Sequence, residues 1–140
     1  MNGRNPNFRA SVLFPLYIME GMTNHLNFLS YWKFKNKLEK VDMKLTFRDR
    51  EGVLVHSSEI EIAKDPKSYD VNLNDIIYTK IVDTRAGFAF SVEVEVFFDK
   101  EPLIKYPALV YEIRNKFYGS TVHSCLRSLN PSEKKPGNNQ

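Results

Sequence analysis

The chain has 140 residues, a common size for one domain and enough to bury a core of its own. Hydrophobic residues make up 42% and charged residues 26%, which excludes disorder over most of the length, and ten Phe and seven Tyr favour strands. A single cysteine, Cys125, excludes an intramolecular disulfide. No C-x-x-C or H-x-x-x-H spacing supports a structural zinc site, so the fold is expected to rest on packing, without metal or cofactor.

The formal charge is +3, but its distribution is uneven. Residues 1–50 carry nine Lys/Arg against four Asp/Glu, residues 51–100 five against ten, and residues 101–140 six against three. Such asymmetry fits either an anionic partner or oppositely charged strands lying side by side in one sheet; the second is the preferred reading. The apolar run from Ser11 to Met19 is far short of the roughly 20 residues that span a bilayer, and the N-terminus lacks the pattern of a signal peptide. No membrane span and a cytoplasmic location are therefore expected, with a mature exported domain as the alternative.

Along the chain, residues 1–10 read as a flexible N-terminus, 11–129 as the folded domain and 130–140 as a mobile tail or linker, since Pro-Ser-Glu-Lys-Lys-Pro-Gly-Asn-Asn-Gln offers nothing to bury. The segment from Thr23 to Val41 has two readings. As a helix it would bury Leu26, Leu29, Trp32, Leu38 and Val41. As a strand it places Leu26, Phe28, Trp32 and Phe34 on one face, and its aromatic content favours this second reading. Val41, Met43, Leu45 and Phe47 alternate with Asp42, Lys44, Thr46 and Arg48, which predicts a half-solvated strand; Asp49-Arg50-Glu51-Gly52 then turns the chain into a hairpin. On the return, Val53 and Val55 have one parity and Ile60 and Ile62 the other. That phase change predicts a bulge, or a bend carrying the strand into another sheet.

After the Asp65-Pro66 turn, Tyr69, Val71 and Leu73 alternate again, and Asn74 to Tyr78 reads as a single helical turn. Six apolar residues from Phe88 to Phe98 alternate without a break and predict a strand. Leu103 to Ile113 is apolar on both faces, as a central strand requires, although Pro107 argues for an edge or a bulge. A turn over Asn115–Gly119 leads into the last strand. With that hairpin centred near Phe117, Tyr111 is expected opposite His123 and Leu109 opposite Cys125. The architecture expected is an all-β antiparallel sandwich of about seven to eight strands, or an α+β fold if residues 23–40 are helical.

Three groups of residues invite a chemical reading. His123, Cys125 and Arg127 are expected on one face of the last strand, with Tyr111 beside them. Cys125 and His123 would then lie roughly 6–7 Å apart, loose for an activated thiolate, so a small apolar Cys beside a polar His is the plainer account. Same-face acids such as Glu59 with Glu61 and Glu93 with Glu95 read as solvated surface rather than as a glycosidase pair. Tyr31, Lys33, Lys35 and Lys37 interleave aromatic and basic character, as single-strand nucleic-acid binders do, and as solubilising edge strands also do.

The runs Phe34-Lys35-Asn36, Val41 to Asp49 and Tyr69 to Asp75 resemble immunoglobulin-like and related bacterial β-sandwiches, including the sensory-rhodopsin-transducer type. The resemblance covers roughly residues 26–127 and lies in spacing; the stretch from His123 to Arg127 departs from the transducer pattern. It implies a binding or scaffolding role toward sugars or proteins and brings no catalytic residues. The expectation is therefore a non-enzymatic binding module for a protein or carbohydrate, with Tyr31, Lys33, Tyr111, His123 and Arg127 as its ligand contacts. Nucleic acid is not the expected partner; sheet edges leave a homo-oligomer open, and the sequence does not give the oligomeric state. The alternatives from other classes are a hydrolase using the His123/Cys125 face and a single-strand nucleic-acid binder using residues 31–37.

Overall fold

A computed structural model describes residues 8–30, 38–62, 67–80, 88–98, 108–117, 119–125 and 127–129; at 79, 88–89, 108, 121–125 and 127–129 it describes the backbone alone. In chain order the elements are β1 (Phe8–Ile18), β2 (Thr23–Leu29), β3 (Val41–Arg48), β4 (Leu54–Glu61) and β5 (Ser68–Asn72). A short helix α1 (Leu73–Ile77) and a 3-10 turn (Tyr78–Lys80) follow, then β6 (Phe88–Phe98), β7 (Ala108–Arg114), β8 (Gly119–Cys125) and β9 (Arg127–Leu129). The strands form two sheets, one of five in the order β4-β3-β6-β1-β9 and one of four in the order β5-β2-β7-β8. We call them sheet A and sheet B. Every pairing is antiparallel.

The core lies between the sheets. Period-2 alternation sends one residue in two inward: Phe14, Leu16 and Ile18 from β1, Met43, Leu45 and Phe47 from β3, and Val92, Val94 and Val96 from β6 are all buried. Sheet B answers with Leu26, Phe28, Leu109 and Tyr111. The Phe14 and Tyr111 rings stack across the gap with centroids 5.1 Å apart, which ties β1 to β7 and marks a face-to-face sandwich. The expected all-β sandwich is the fold, and the described residues hold nine strands rather than seven or eight. Residues 23–29 are strand, not helix.

Several local expectations are corrected. The strand β1 begins at Phe8, inside the stretch read as flexible, because Phe8 to Ala10 pair with Val96 to Phe98. The phase change on the return of the first hairpin is a bulge, the first of the two outcomes expected: Phe47 faces His56 and Arg48 faces Leu54, leaving Val55 as the extra residue. That strand stays in sheet A throughout. Pro107 lies outside the described residues, and β7 lies between β2 and β8, as a central strand does. The hairpin turn itself is as read: Gly52 takes φ +83° and donates its N–H to the Asp49 carbonyl at 3.0 Å. The Asp49 carboxylate also accepts from the N–H groups of Glu51 and Val53.

The uneven charge is resolved within sheet A. The register places Lys44 of β3 between Glu95 of β6 and Glu59 of β4. Arg9 of β1 is ion-paired with Glu95 and lies 4.0 Å from Glu93. Basic strands from the first third of the chain therefore sit beside acidic strands from the middle third. Among the described residues no helix is long and apolar enough to cross a membrane.

Candidate functional site

The strand β2 alternates Asn24, Leu26 and Phe28 inward with Thr23, His25, Asn27 and Leu29 outward, and it lies inside sheet B between β5 and β7. Neighbours on the outer face follow from the register. His25 stands opposite Glu112 on β7 and Asn72 on β5, Thr23 opposite Arg114, and Asn27 opposite Asp70. These pairings bring a titratable cluster together from three strands.

Its geometry is well defined. His25, only 8% exposed, has Nδ1 2.7 Å from Asp70 Oδ1 and Nε2 2.9 Å from Thr23 Oγ1. An ionised carboxylate only accepts, so Nδ1 carries the proton toward Asp70, and in the neutral ring Nε2 accepts from the Thr23 hydroxyl. Arg114 donates from Nη1 to Asp70 Oδ2 at 3.1 Å and from Nε to Glu112. The hydrogen bond from His25, aided by Arg114, holds the Asp70 carboxyl below its ordinary value of 3.8 despite an opposing desolvation contribution. Contact first with Glu112 and then with Asp70 pushes the Arg114 guanidinium up. The Asp70 side chain remains 51% exposed, so this face offers solvent an oriented carboxylate and guanidinium on a buried histidine support.

A second polar cluster lies beneath, in the core. Asn24, fully buried, donates from Nδ2 to the Tyr17 carbonyl at 3.0 Å and to Asn74 Oδ1 at 2.9 Å. Its Oδ1 accepts from the Tyr111 hydroxyl and, at 3.4 Å, from the Tyr17 N–H. Asn74 Oδ1 also accepts from the Asn24 N–H at 2.7 Å, and its Nδ2 donates to the Met22 carbonyl. The Asn24 amide thus behaves as a strand partner for the outer edge of β1 and links it to the start of α1. That helix is capped by Asn72, whose side chain accepts from the Asn74 N–H.

Of the residues expected to touch ligand, Tyr31 and Lys33 lie outside the described residues. Tyr111 is a correction: it is 2% exposed, burial pushes its hydroxyl well above the ordinary tyrosine range, and its role is in the core. The turn after β7 is placed one residue differently from the expectation. His123 faces Val110, Tyr111 faces Val122, and Cys125 faces Ala108. His123 therefore has the opposite parity to Tyr111. Arg127 is separated further: β8 belongs to sheet B, whereas β9 pairs with β1 in sheet A, with Arg127 opposite Ser11. The chain changes sheets between Cys125 and Arg127, so the expected shared face of His123, Cys125 and Arg127 is not formed.

The outer cluster escaped sequence reasoning because only His25 carried a signal, its parity with Asn27. Its partners, Asp70 and Arg114, are supplied by strands whose neighbours are decided by topology. Compared with models of protein families, with curated proteins and with solved structures, the chain matches none.

Proposed function

We propose that this chain is a non-enzymatic binding module that takes a protein ligand on the outer face of sheet B. One observation carries the reading: Asp70 and Arg114 are exposed yet already oriented by His25 and Glu112. Oriented charged groups lose little side-chain freedom on binding, and Arg is a frequent anchor of protein interfaces. Leu29, 56% exposed on the same face of β2, adds an apolar contact. The binding role implied by the immunoglobulin-like spacing points the same way.

The order Thr23–His25–Asp70 copies the connectivity of a hydrolytic triad, with Nε2 on the hydroxyl and Nδ1 on the carboxylate. Acyl transfer also requires donors aimed at the developing oxyanion. The backbone N–H groups of β2 lie in the plane of the sheet, directed at β5 and β7, and so point along the face rather than up from it. This geometry favours recognition over catalysis.

The test is to screen the chain against a displayed peptide library and a glycan array, then measure affinities for Arg114→Ala, Asp70→Ala and a control on sheet A, Lys44→Ala. A peptide or protein ligand that loses about tenfold or more with the first two and nothing with the third is the expected result. Ligands that are sugars, or that respond only to the control, would overturn the assignment. Stoichiometric labelling of Thr23 by a fluorophosphonate would overturn the non-enzymatic reading.

A further inference from the structure

The strand β4 is an edge of sheet A, and the direction of its backbone groups follows from two places in the sheet. Tyr17 turns its N–H to the Asn24 side chain rather than to β6, and an antiparallel ladder alternates bonded with non-bonded pairs. Carried through the register, that alternation points the N–H and C=O groups of Asp42, Lys44 and Thr46 at β6. Their partners on β4, Glu61, Glu59 and Ser57, consequently turn theirs away from β3. The hairpin gives the same phase: Asp49 donates to the Val53 carbonyl, and counting on past the extra residue Val55 again turns the Ser57 groups away from β3. All three residues are exposed. Among the described residues no strand lies beyond β4 and no hydrogen bond meets these groups. Each residue therefore offers one donor and one acceptor to an incoming strand.

Edge strands are commonly guarded by Lys, Pro or an inward-pointing charge. The strand β4 contains neither Lys nor Pro, and its charges are carboxylates: Glu59 and Glu61 stand on the outer face, with Asp42 opposite Glu61. The neighbouring cation, Lys44, already lies between Glu59 and Glu95. A second copy of β4, paired about a two-fold axis centred on these residues, would bring the carboxylates of both copies together, which disfavours it. A strand with Lys or Arg at alternate positions does the reverse. On the inner side Ile60 is half-buried against the core, so an apolar residue between the basic ones completes its cover. We propose that β4 takes an extended basic peptide segment as an added strand, with Lys or Arg beside Glu59 and Glu61 and an apolar side chain beside Ile60. This site lies on the edge of sheet A and stands whether or not the outer face of sheet B binds a protein.

The probe is the peptide acetyl-Lys-Val-Lys-Val-Lys-Val-Lys-amide, added to the isotope-labelled full chain while amide exchange is followed by NMR. At about 1 mM peptide, a Kd of about 100 µM slows exchange of an amide covered in the complex about tenfold. The expected result is that slowing at Ser57, Glu59 and Glu61, with the amides of Ser58 and Ile60, already directed at β3, unchanged. Glu59→Lys with Glu61→Lys weakens binding about tenfold or more, and Arg114→Ala on sheet B leaves it as it was. Circular dichroism checks that each variant is folded, and the peptide with Glu in place of every Lys, which needs no variant, does not bind. No slowing at about 1 mM peptide, equal slowing by the acidic peptide, or slowing confined to other strands would overturn the proposal. Slowing that grows with chain concentration alone would assign the edge to a second copy and overturn it too.

Discussion

Replacing Asn24 with Leu keeps the branching and the number of heavy atoms of the side chain and removes every hydrogen bond it makes at the centre of the buried polar cluster. Four groups are affected. The Tyr111 hydroxyl, 2% exposed, loses its acceptor, and the Tyr17 carbonyl and N–H lose the amide that matched them. Asn74 Oδ1 keeps the backbone N–H of residue 24 and suffers least. A buried polar group left without a partner costs about 1–3 kcal/mol, and the Tyr17 groups, on the outer side of β1, are partly recovered by water. The substitution should therefore destabilise by about 2–4 kcal/mol. The sharper quantity is its coupling to Tyr111→Phe. With Asn24 present, removing the hydroxyl deletes one hydrogen bond and costs about 1 kcal/mol; in the Asn24→Leu background, it deletes an orphan and should stabilise by about 1–2 kcal/mol. The Phe14 stack survives in both backgrounds, because the ring is unchanged. Urea unfolding of the four proteins, followed by far-UV circular dichroism, gives the cycle directly. Equal costs for Tyr111→Phe in the two backgrounds would refute the account of Asn24 as the acceptor of that hydroxyl.

Other outcomes follow from single features. Because the folded Asp70 pKa is depressed, its contribution to stability is present above the ordinary value of 3.8 and is lost as pH falls through the folded value. The stability difference between wild type and Asp70→Asn should hence be steady near neutrality and shrink steadily below about pH 4, as read by urea melts across pH; a difference growing toward acid would reverse the assigned sign. Gly52→Ala meets no atom within 4 Å, so any loss reflects the positive φ of +83° alone and should be about 1 kcal/mol, with Gly52→Asn milder. Leu45→Ala, at a fully buried position between Val94 and Ser58, should cost about 2–5 kcal/mol in the same assay.

Sequence legibility followed the contrast between faces. Residues 41–48 and 88–98 could be read because a buried apolar side alternates with a polar one, and 23–29 because Phe28 and the aromatics that follow it in the sequence favoured a pleat. The strand β1 stayed hidden: Leu13, Pro15 and Tyr17 point outward and are exposed, so its apolar residues fall on both faces. Pro15 is tolerated because the odd residues of β1 direct their N–H groups away from β6, as Tyr17 does toward Asn24. The placement of His123 failed for a different reason: a shift of one residue in a turn exchanges the two faces of everything beyond it. The move of Arg127 into sheet A left no mark in hydrophobic period, since the three residues of β9 are too few to set one. His25 found its partners through strand order alone, which no local pattern encodes.

The position of β1 bears on how the chain is made. Its partners are β6, whose last residue is Phe98, and β9, which ends at Leu129. The strand β1 is consequently an interior strand that leaves the ribosome well before both partners and must wait for them before sheet A can close. Until then its apolar residues have only local company, and the pairing that captures them closes a long loop. Topologies dominated by such distant contacts fold over milliseconds to seconds rather than microseconds. A nascent chain stopped before residue 88 would present β1 and β3 without the strand that joins them. Aggregation of such truncated products, rather than of the finished domain, is where this architecture is most exposed.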